Sequence, residues 1–260
     1  MQRYFIEDNY IDLEKKIAII EGKDYHHIKD VMRMKIDDEV ILCTSSNQKE
    51  YLARIENLNQ KVVLSIISSN TNNNELNCNV TIAQGLVRKD KVEEVVRRIC
   101  ELGATGYVNL QMTRCNISLK KKEDYKISRL ETIVKEACEQ SERGKLLQLY
   151  GYKSFKEFIS FSSNFDYKFV CYEEEGRMNN NSERISNSLY NYVDKLSNKD
   201  IIVLVGPEGG ITENEIEILK NNGFIAIGLG KRILRTETAP LMVMSIISSY
   251  IDYLDNKIEA

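Results

Sequence analysis

The first 70 residues carry short runs in which apolar and polar positions alternate, among them RYFIE, KIAII, EYLARIENL and KVVLSII. Alternation with a period of two is typical of strands that bury one face. Helical spacing appears only around His26 to Met34. The pattern predicts a small, barrel-like β domain over residues 1–70 with a single helical turn.

A polar segment without any apolar period follows this domain. Its sequence is SSNTNNNELN, from Ser68 to Asn77, and it is rich in turn-forming residues. We predict a linker over residues 71–77 and a second domain over residues 78–260.

Beyond the linker, apolar strands alternate with amphipathic helices. The helix predicted over KDKVEEVVRRICELG has an apolar stripe that includes Val92 and Val96, and the one over TENEIEILKNNG begins with a capping box of Thr212 and Glu215. The predicted strands are NVTIAQGL, YVNLQ, YKFVCYE, DIIVLVG and FIAIGLG. This order predicts an α/β fold with a mainly parallel sheet, and runs such as IIVLV fit strands covered on both faces.

Composition narrows the function classes. The formal net charge is −3, so any nucleic-acid surface has to be a local basic patch. The six cysteines form no C-x-x-C pair, and the only histidines, His26 and His27, are adjacent. We therefore expect reduced thiols, no metal site and a cytoplasmic protein. No apolar run approaches the roughly 20 residues that span a bilayer, so no membrane segment is expected.

Two unusual loops follow predicted strands. GPEGG, residues 206–210, follows IIVLV, and GKRILRTETAP, residues 230–240, follows FIAIGL. Ligands of parallel α/β sheets bind beyond the carboxyl ends of strands, which predicts a ligand site here. An ordinary strand-to-helix turn is the alternative for the first loop. The loop GPEGG matches neither phosphate-binding glycine motif, and its Glu208 favours a ligand with positive charge.

The second loop combines cations, a carboxylate and threonines. Thr238 could cap the last helix, with Pro240 near its start, and this is the structural alternative for the threonines. Capping does not explain Arg235, whose guanidinium could hold a phosphate or a developing anion.

Further basic and polar residues are candidates for RNA contact. The alternative for each is a solvated surface position, and for His27 a surface histidine. Glu136, Gln140 and Arg143 have the spacing of one polar helix face. Lys120 to Lys122 extend the basic set. The candidates for RNA contact are Arg3, His27, Arg33, Arg88, Lys89, Lys91, Arg114, Gln140 and Arg143.

Several of these segments together resemble one family, the RsmE-type 16S ribosomal RNA uracil-N3 methyltransferases of the SPOUT class. The resemblance covers nearly the whole chain. It is carried by HHIKDVMRM, RKDKVEEVVRRICELG, TRC, EACEQSER, VGPEGGITENEI and LGKRILRTETAP.

The resemblance implies a PUA-like barrel that binds RNA and a C-terminal domain with a trefoil knot. It implies S-adenosyl-L-methionine as cofactor, 16S rRNA within the 30S subunit as substrate, and a homodimer. Arg235 is then expected to stabilise charge on the uracil, and either Glu237 or water to take the N3 proton. The cofactor residues it implies are Tyr172, Glu173, Gly206, Pro207, Gly209, Gly210, Leu229, Gly230, Ile233, Leu234, Thr236, Thr238 and Ala239.

The chain departs from the family pattern at three positions. Thr113 replaces a glutamate, the helix before EACEQ lacks the tryptophan that the family often has, with Leu130 nearby, and Glu142 replaces a common glycine. Three other functions stay open at this point. They are methylation of another ribosomal or transfer RNA position by a related SPOUT enzyme, a non-catalytic ribosome-assembly factor, and a Rossmann-type nucleotide-binding enzyme, which the missing phosphate motif disfavours.

Overall fold

The computed structural model describes residues 1–44, 48–118, 127–177 and 187–259. The chain divides into two compact units. The first comprises Met1–Glu75 and Lys135–Leu146, and the second Leu76–Val134 and Leu147–Ala260. Boundaries drawn along the sequence did not anticipate that residues 135–146 group with the N-terminal unit.

The first unit is built on a six-stranded sheet. Its strands are β1 (Gln2–Phe5), β2 (Ile11–Asp12), β3 (Ile17–Ile20), β4 (Glu39–Thr44), β5 (Lys49–Asn57) and β6 (Val62–Thr71). The order is β1-β4-β5-β6-β3-β2, and all neighbours are antiparallel except β1 and β4. Two register shifts between β5 and β6 mark bulges, which increase strand twist and help the sheet to curl. This confirms the predicted β-rich first domain.

One face of that sheet forms the core of the first unit. Tyr4, Leu42, Ile55 and Leu64 are among its fully buried side chains, as expected for alternating strands. A short helix α1 (Gly22–His26) and a π-helical turn (His27–Val31) follow β3 and add Ile28 to this core. The helical turn predicted around His26 to Met34 is therefore confirmed.

The second unit contains a six-stranded sheet in which every pair of neighbours is parallel. Its strands are β7 (Asn79–Gly85), β8 (Gly106–Gln111), β9 (Gln148–Ser154), β10 (Tyr167–Cys171), β11 (Asp200–Val205) and β12 (Ile225–Ile227). The order is β12-β10-β11-β7-β8-β9. The predicted α/β fold with a parallel sheet is confirmed.

Amphipathic helices flank this sheet. In α2, Val92, Val95, Val96 and Ile99 are fully buried, and Gly103 follows the helix with φ of +88°, as a glycine terminator does. The capping box of Thr212 and Glu215 is present at its predicted place. The helices are α2 (Lys89–Glu101), α3 (Ile127–Gln140), α4 (Phe155–Phe161), α5 (Glu173–Arg177), α6 (Glu213–Asn221) and α7 (Thr238–Glu259).

The sequence patterns missed β9 and α4. Gly151, with φ of +70°, interrupts β9, and the pairing with β8 shifts register between Tyr107 and Asn109. β9 is an edge strand, so its residues do not form an apolar run like those of the central strands. A strand of this kind gives little periodic signal.

The parallel sheet brings the two unusual loops to one edge. β10 lies between β11 and β12, and the carboxyl ends of all three strands point the same way. We call residues 206–210 after β11 the glycine loop, and residues 228–237 between β12 and α7 the C-terminal loop. Within the described residues, no helix is long and apolar enough to span a membrane.

Candidate functional site

A cavity of about 540 Å³ opens at this edge of the sheet in the second unit. Its walls are the glycine loop, the C-terminal loop and the start of α5. Twelve of the thirteen predicted cofactor residues line it; Thr238 does not. The sequence pattern did not identify several further lining residues, which are Cys171, Glu174, Val205, Ile211 and Arg232.

The glycine loop is a tight turn whose glycines meet neighbouring chain closely. The Gly210 amide donates to the Pro207 carbonyl at 2.9 Å, and Gly210 has φ of +75°, which favours glycine. A Cβ on Gly209 would lie 2.6 Å from the Arg114 carbonyl oxygen. Arg114 in turn points its Nη1 at the Gly209 and Ile211 carbonyls, at 3.4 and 3.5 Å. The loop is therefore braced from outside, and Arg114 acts within the site as well as on its surface.

Buried hydrogen bonds attach the C-terminal loop to the sheet. The Thr236 hydroxyl donates to the Gly206 carbonyl at 2.8 Å, which joins the two loops directly. Gln84, fully buried in β7, donates through Nε2 to the Thr236 carbonyl at 2.9 Å. The Tyr107 hydroxyl lies 2.8 Å from Gln84 Oε1. This polar chain crosses from β8 through β7 to the C-terminal loop, so the position of Thr236 is specified by residues far along the sequence.

Gln84 and Tyr107 were not singled out from the sequence. The available signal was a glutamine inside the strand NVTIAQGL, since a polar side chain at a buried strand position needs a specific partner. That signal predicts a partner but does not identify Thr236.

The lining of the cavity carries charged side chains of both signs. Arg232 and Arg235 line the cavity, and the Arg235 side chain is 84% exposed, with Nη1 4.0 Å from Glu237 Oε1. An exposed guanidinium at a cavity mouth can contact an incoming anionic or electron-rich group. The predicted position of Arg235 beside a ligand site is consistent with this placement.

Thr238 does not have the capping position considered for it. α7 begins at Thr238 itself, so this residue lies inside the first turn instead of preceding it. The amides of Thr238 and Ala239 donate to the Arg235 carbonyl, at 2.9 and 3.1 Å. Arg235 therefore lies at the turn that starts the helix, and its backbone is fixed while its side chain is exposed.

Two of the RNA candidates are buried and paired, which corrects their assignment. Arg143 is 2% exposed and donates to Glu75 at 2.6 Å, and Arg3 is 8% exposed and pairs with Glu50. Both guanidiniums are ion-paired within the first unit and shielded from solvent, so they offer little charge to RNA. The polar helix face predicted for Glu136, Gln140 and Arg143 is also wrong at Arg143, because α3 ends at Gln140.

The other RNA candidates lie nearer the surface. His27 is partly buried, and its Nδ1 lies 3.0 Å from the Tyr4 hydroxyl. Lys91 is partly buried at the cavity rim. Lys120, Lys121 and Lys122 lie outside the described residues. The exposed candidates are Arg33, Arg88, Lys89, Arg114 and Gln140.

The departures from the family pattern have different structural settings. Thr113 is exposed, and its amide donates to Glu215 Oε1 at 2.8 Å. Leu130 is buried in α3. In the described part of the chain, no three His, Cys, Asp or Glu side chains are grouped so that they could hold a metal ion.

Two family models match the chain. A model described as RNA methyltransferase domain matches residues 74–248, and one described as RNA methyltransferase PUA domain matches residues 20–67. Together they cover both units of the structure.

The curated relatives agree with these models. Ribosomal RNA small subunit methyltransferase E of Bacillus subtilis (strain 168) is 36% identical over 257 residues, which is 98% of either chain. The protein of the same name from Rickettsia conorii is 27% identical over 231 residues, 88% of either chain.

Solved structures show the same fold with a ligand. A ribosomal RNA small subunit methyltransferase E from Neisseria gonorrhoeae, bound to S-adenosyl methionine, matches with a TM-score of 0.80 and 25% identity, over 96% of this chain and 97% of that one. A methyltransferase from Legionella pneumophila, in complex with the cofactor SAM, matches with a TM-score of 0.82 at the same identity and coverage.

Proposed function

Because this chain belongs to the ribosomal RNA small subunit methyltransferase E family, we propose that it methylates N3 of one uridine in 16S ribosomal RNA. Family membership confirms the resemblance drawn from the sequence motifs. It also carries the coarser activity, S-adenosylmethionine-dependent methylation of small-subunit ribosomal RNA. The parts proposed here are the nucleobase, a uracil, and the methylated atom, N3.

The cavity at the sheet edge is the observation that carries this proposal. Its volume of about 540 Å³ lies within the range of roughly 300–1,000 Å³ that is common for small-molecule sites. Glu173 and Glu174 line it beside the Glu208–Lys91 ion pair, and carboxylates suit a sulfonium cation and an ammonium group better than a polyphosphate. The residues of the chain therefore fit S-adenosylmethionine.

Backbone from both loops would hold this cofactor. Gly210 and Gly230 have positive φ, and at Gly230 the space that a Cβ would take is open. The two glycines leave room for a ligand to approach the main chain. Tyr172, Leu229, Ile233 and the neighbouring lining residues would surround its apolar parts.

The chemistry needs a deprotonated uracil N3. S-adenosylmethionine supplies the methyl group. Its methyl C–S bond breaks, an N3–C bond forms, and the N3 proton passes to a general base of the protein or to water. Arg235 is positioned at the cavity mouth to stabilise the negative charge that develops on the uracil ring. The target base has to leave its stack to reach this position.

Four parts of the proposal come from the family resemblance. They are a homodimer, a trefoil knot in the C-terminal domain, an assembled 30S subunit as the physiological substrate, and action in the cytoplasm. Within the second unit, the exposed basic residues Arg88, Lys89 and Arg114 support contact with RNA, and Arg33 is an exposed basic residue of the first unit.

The test is nucleoside mass spectrometry of 16S rRNA from a strain that lacks this protein. We expect 3-methyluridine to be absent, and to return when the parent gene is supplied. The Arg235→Ala variant should restore it with a rate at least about 100-fold lower, the scale of losing one charge-stabilising donor.

Cofactor binding provides the control for that variant. Calorimetry should give Arg235→Ala an affinity for S-adenosylmethionine close to that of the parent, since the exposed side chain contacts the substrate side. Persistence of 3-methyluridine in the deletion strain would refute the proposed position. Loss of cofactor binding in the variant would refute the role of Arg235.

A further inference from the structure

Lys91, in the first turn of α2, bridges both loops of the cavity. Its Nζ lies 2.8 Å from Glu208 Oε1 in the glycine loop and 3.1 Å from Glu237 Oε2 in the C-terminal loop. The three side chains are 18%, 28% and 16% exposed, so solvent screens them only in part. One ammonium group thus joins two segments that enclose the same ligand site.

The two carboxylates that Lys91 joins would repel each other without a cation between them. Without Lys91, the carboxylates of Glu208 and Glu237 would lie near one another with weaker partners, which are Arg235 at 4.0 Å from Glu237 Oε1, Asn116 at 3.4 Å from Glu208 Oε2, and the charge of Arg88 near Glu208. The hydrogen bond to Glu208 and the nearby carboxylate of Glu237 raise the pKa of Lys91, and the Lys91 bond lowers the pKa of Glu208. The cluster therefore keeps a cation between two loop carboxylates at neutral pH.

We infer that Lys91 is a positioning residue that holds the glycine loop and the C-terminal loop at the spacing the cofactor requires, with Glu237 as its anchor. This inference rests on the proposed function and deepens it. It assigns Lys91 to the cofactor site instead of to RNA contact. It also separates Glu237 from proton removal.

The geometry argues against Glu237 as the base. Its Oε2 is buried and lies 3.1 Å from Lys91 Nζ, which ties this oxygen to the ion pair, whereas Arg235 Nη1 is 4.0 Å from Oε1, beyond hydrogen-bond distance. A general base needs hydrogen-bond access to the proton that it removes.

The first test measures S-adenosylmethionine affinity by calorimetry, without RNA. Lys91→Met keeps the aliphatic stem and removes the charge, and we expect its dissociation constant to rise about tenfold, the scale of one lost charge-assisted hydrogen bond. Lys91→Arg should recover most of the affinity. Arg98→Met is the matched control, because Arg98 lies in the same helix and pairs only with Glu101 among the ion pairs described.

Each outcome of this test has a distinct meaning. A Lys91→Met protein that binds the cofactor as the parent does, or that loses RNA binding alone, overturns the inference. A parent protein that fails to bind S-adenosylmethionine overturns the proposed function instead. Thermal unfolding without ligand checks that the variant folds, and a melting temperature near that of the parent makes the comparison valid.

The second test separates anchoring from base catalysis at Glu237. Glu237→Gln removes the charge that pairs with Lys91, so its dissociation constant for S-adenosylmethionine should rise about as much as that of Lys91→Met, and the double variant should show little further rise. A base at this position would instead show kcat reduced by about 100-fold or more, with the acidic limb of its pH profile removed. That result would contradict the anchoring role.

Discussion

Glu142 has a backbone conformation that explains why glycine is common at this position in the family. Its φ is +56°, in the left-handed region where glycine is favoured. The Arg143 amide donates to the Cys138 carbonyl at 3.0 Å and the Glu142 amide to the Glu139 carbonyl at 3.4 Å, which is the Schellman pattern at the end of α3. The sequence revealed the unusual residue, but only the dihedral angle shows why glycine is common there.

Glu139, in the same helix, is the residue whose ionisation should affect stability most visibly. Burial raises its pKa to about 7, against favourable contacts with Lys135 and the Phe5 amide. The Phe5 amide donates to Glu139 Oε1 at 2.9 Å. A carboxyl whose pKa is raised by folding binds its proton more tightly in the folded state. Its contribution is therefore most favourable below pH 4.5 and is lost as the pH rises to about 7.

Glu139→Gln tests this residue. The variant keeps an oxygen for the Phe5 amide and carries no charge, so its stability relative to the parent should increase between pH 4.5 and 7. The gain should approach about 1–3 kcal/mol, since one pKa unit corresponds to about 1.4 kcal/mol. Urea unfolding at pH 5 and pH 8 measures it, with exposed Glu136→Gln as the control. A stability difference that does not change with pH would contradict the assignment.

At the scale of elements, the sequence predicted the order of strands and helices because burial on one face of an element makes apolar residues recur with a short period. Runs such as IIVLV predicted β11 correctly, and the capping box predicted the start of α6. β9 escaped because an edge strand with a central glycine lacks that period. The two loops were recognisable as unusual, but their separation by β10 came from the sheet order alone.

The link between β7 and the C-terminal loop supplies a prediction at this scale. Gln84→Met removes the donor to the Thr236 carbonyl and leaves a buried acceptor unpaired, which costs about 1–3 kcal/mol. Since Thr236 also holds Gly206, part of this cost should appear as weaker binding of S-adenosylmethionine, measured by calorimetry beside the urea midpoint.

Tyr107→Phe is the matched comparison for Gln84→Met. It removes the hydroxyl at the far side of Gln84 and leaves both bonds of Thr236 intact. This variant should lose stability while its cofactor affinity stays near that of the parent. Equal losses of affinity in the two variants would show that the polar chain supports the fold without positioning the loop.

For the whole molecule, the homodimer is the proposal most directly open to measurement. The last helix, α7, carries Tyr253, which is 58% exposed, next to Tyr250 at a ring distance of 6.2 Å. Aromatic side chains on an exposed helix are enriched at interfaces, which supports association. Light scattering at micromolar concentration should give twice the 30.0 kDa mass of the chain. A monomeric mass, with or without S-adenosylmethionine, would refute the dimer.

The sequence by itself determined the fold class, the family and the two loops for which we propose cofactor binding. These features follow from local periodicity and from short motifs, which depend on neighbouring residues. The tertiary structure decided which charged and polar side chains act where. Lys91 and Glu208 are 117 residues apart, Gln84 and Thr236 152, and Arg143 and Glu75 68. The cost of burying a charge or an amide depends on its partner, and only the folded chain determines which partner that is.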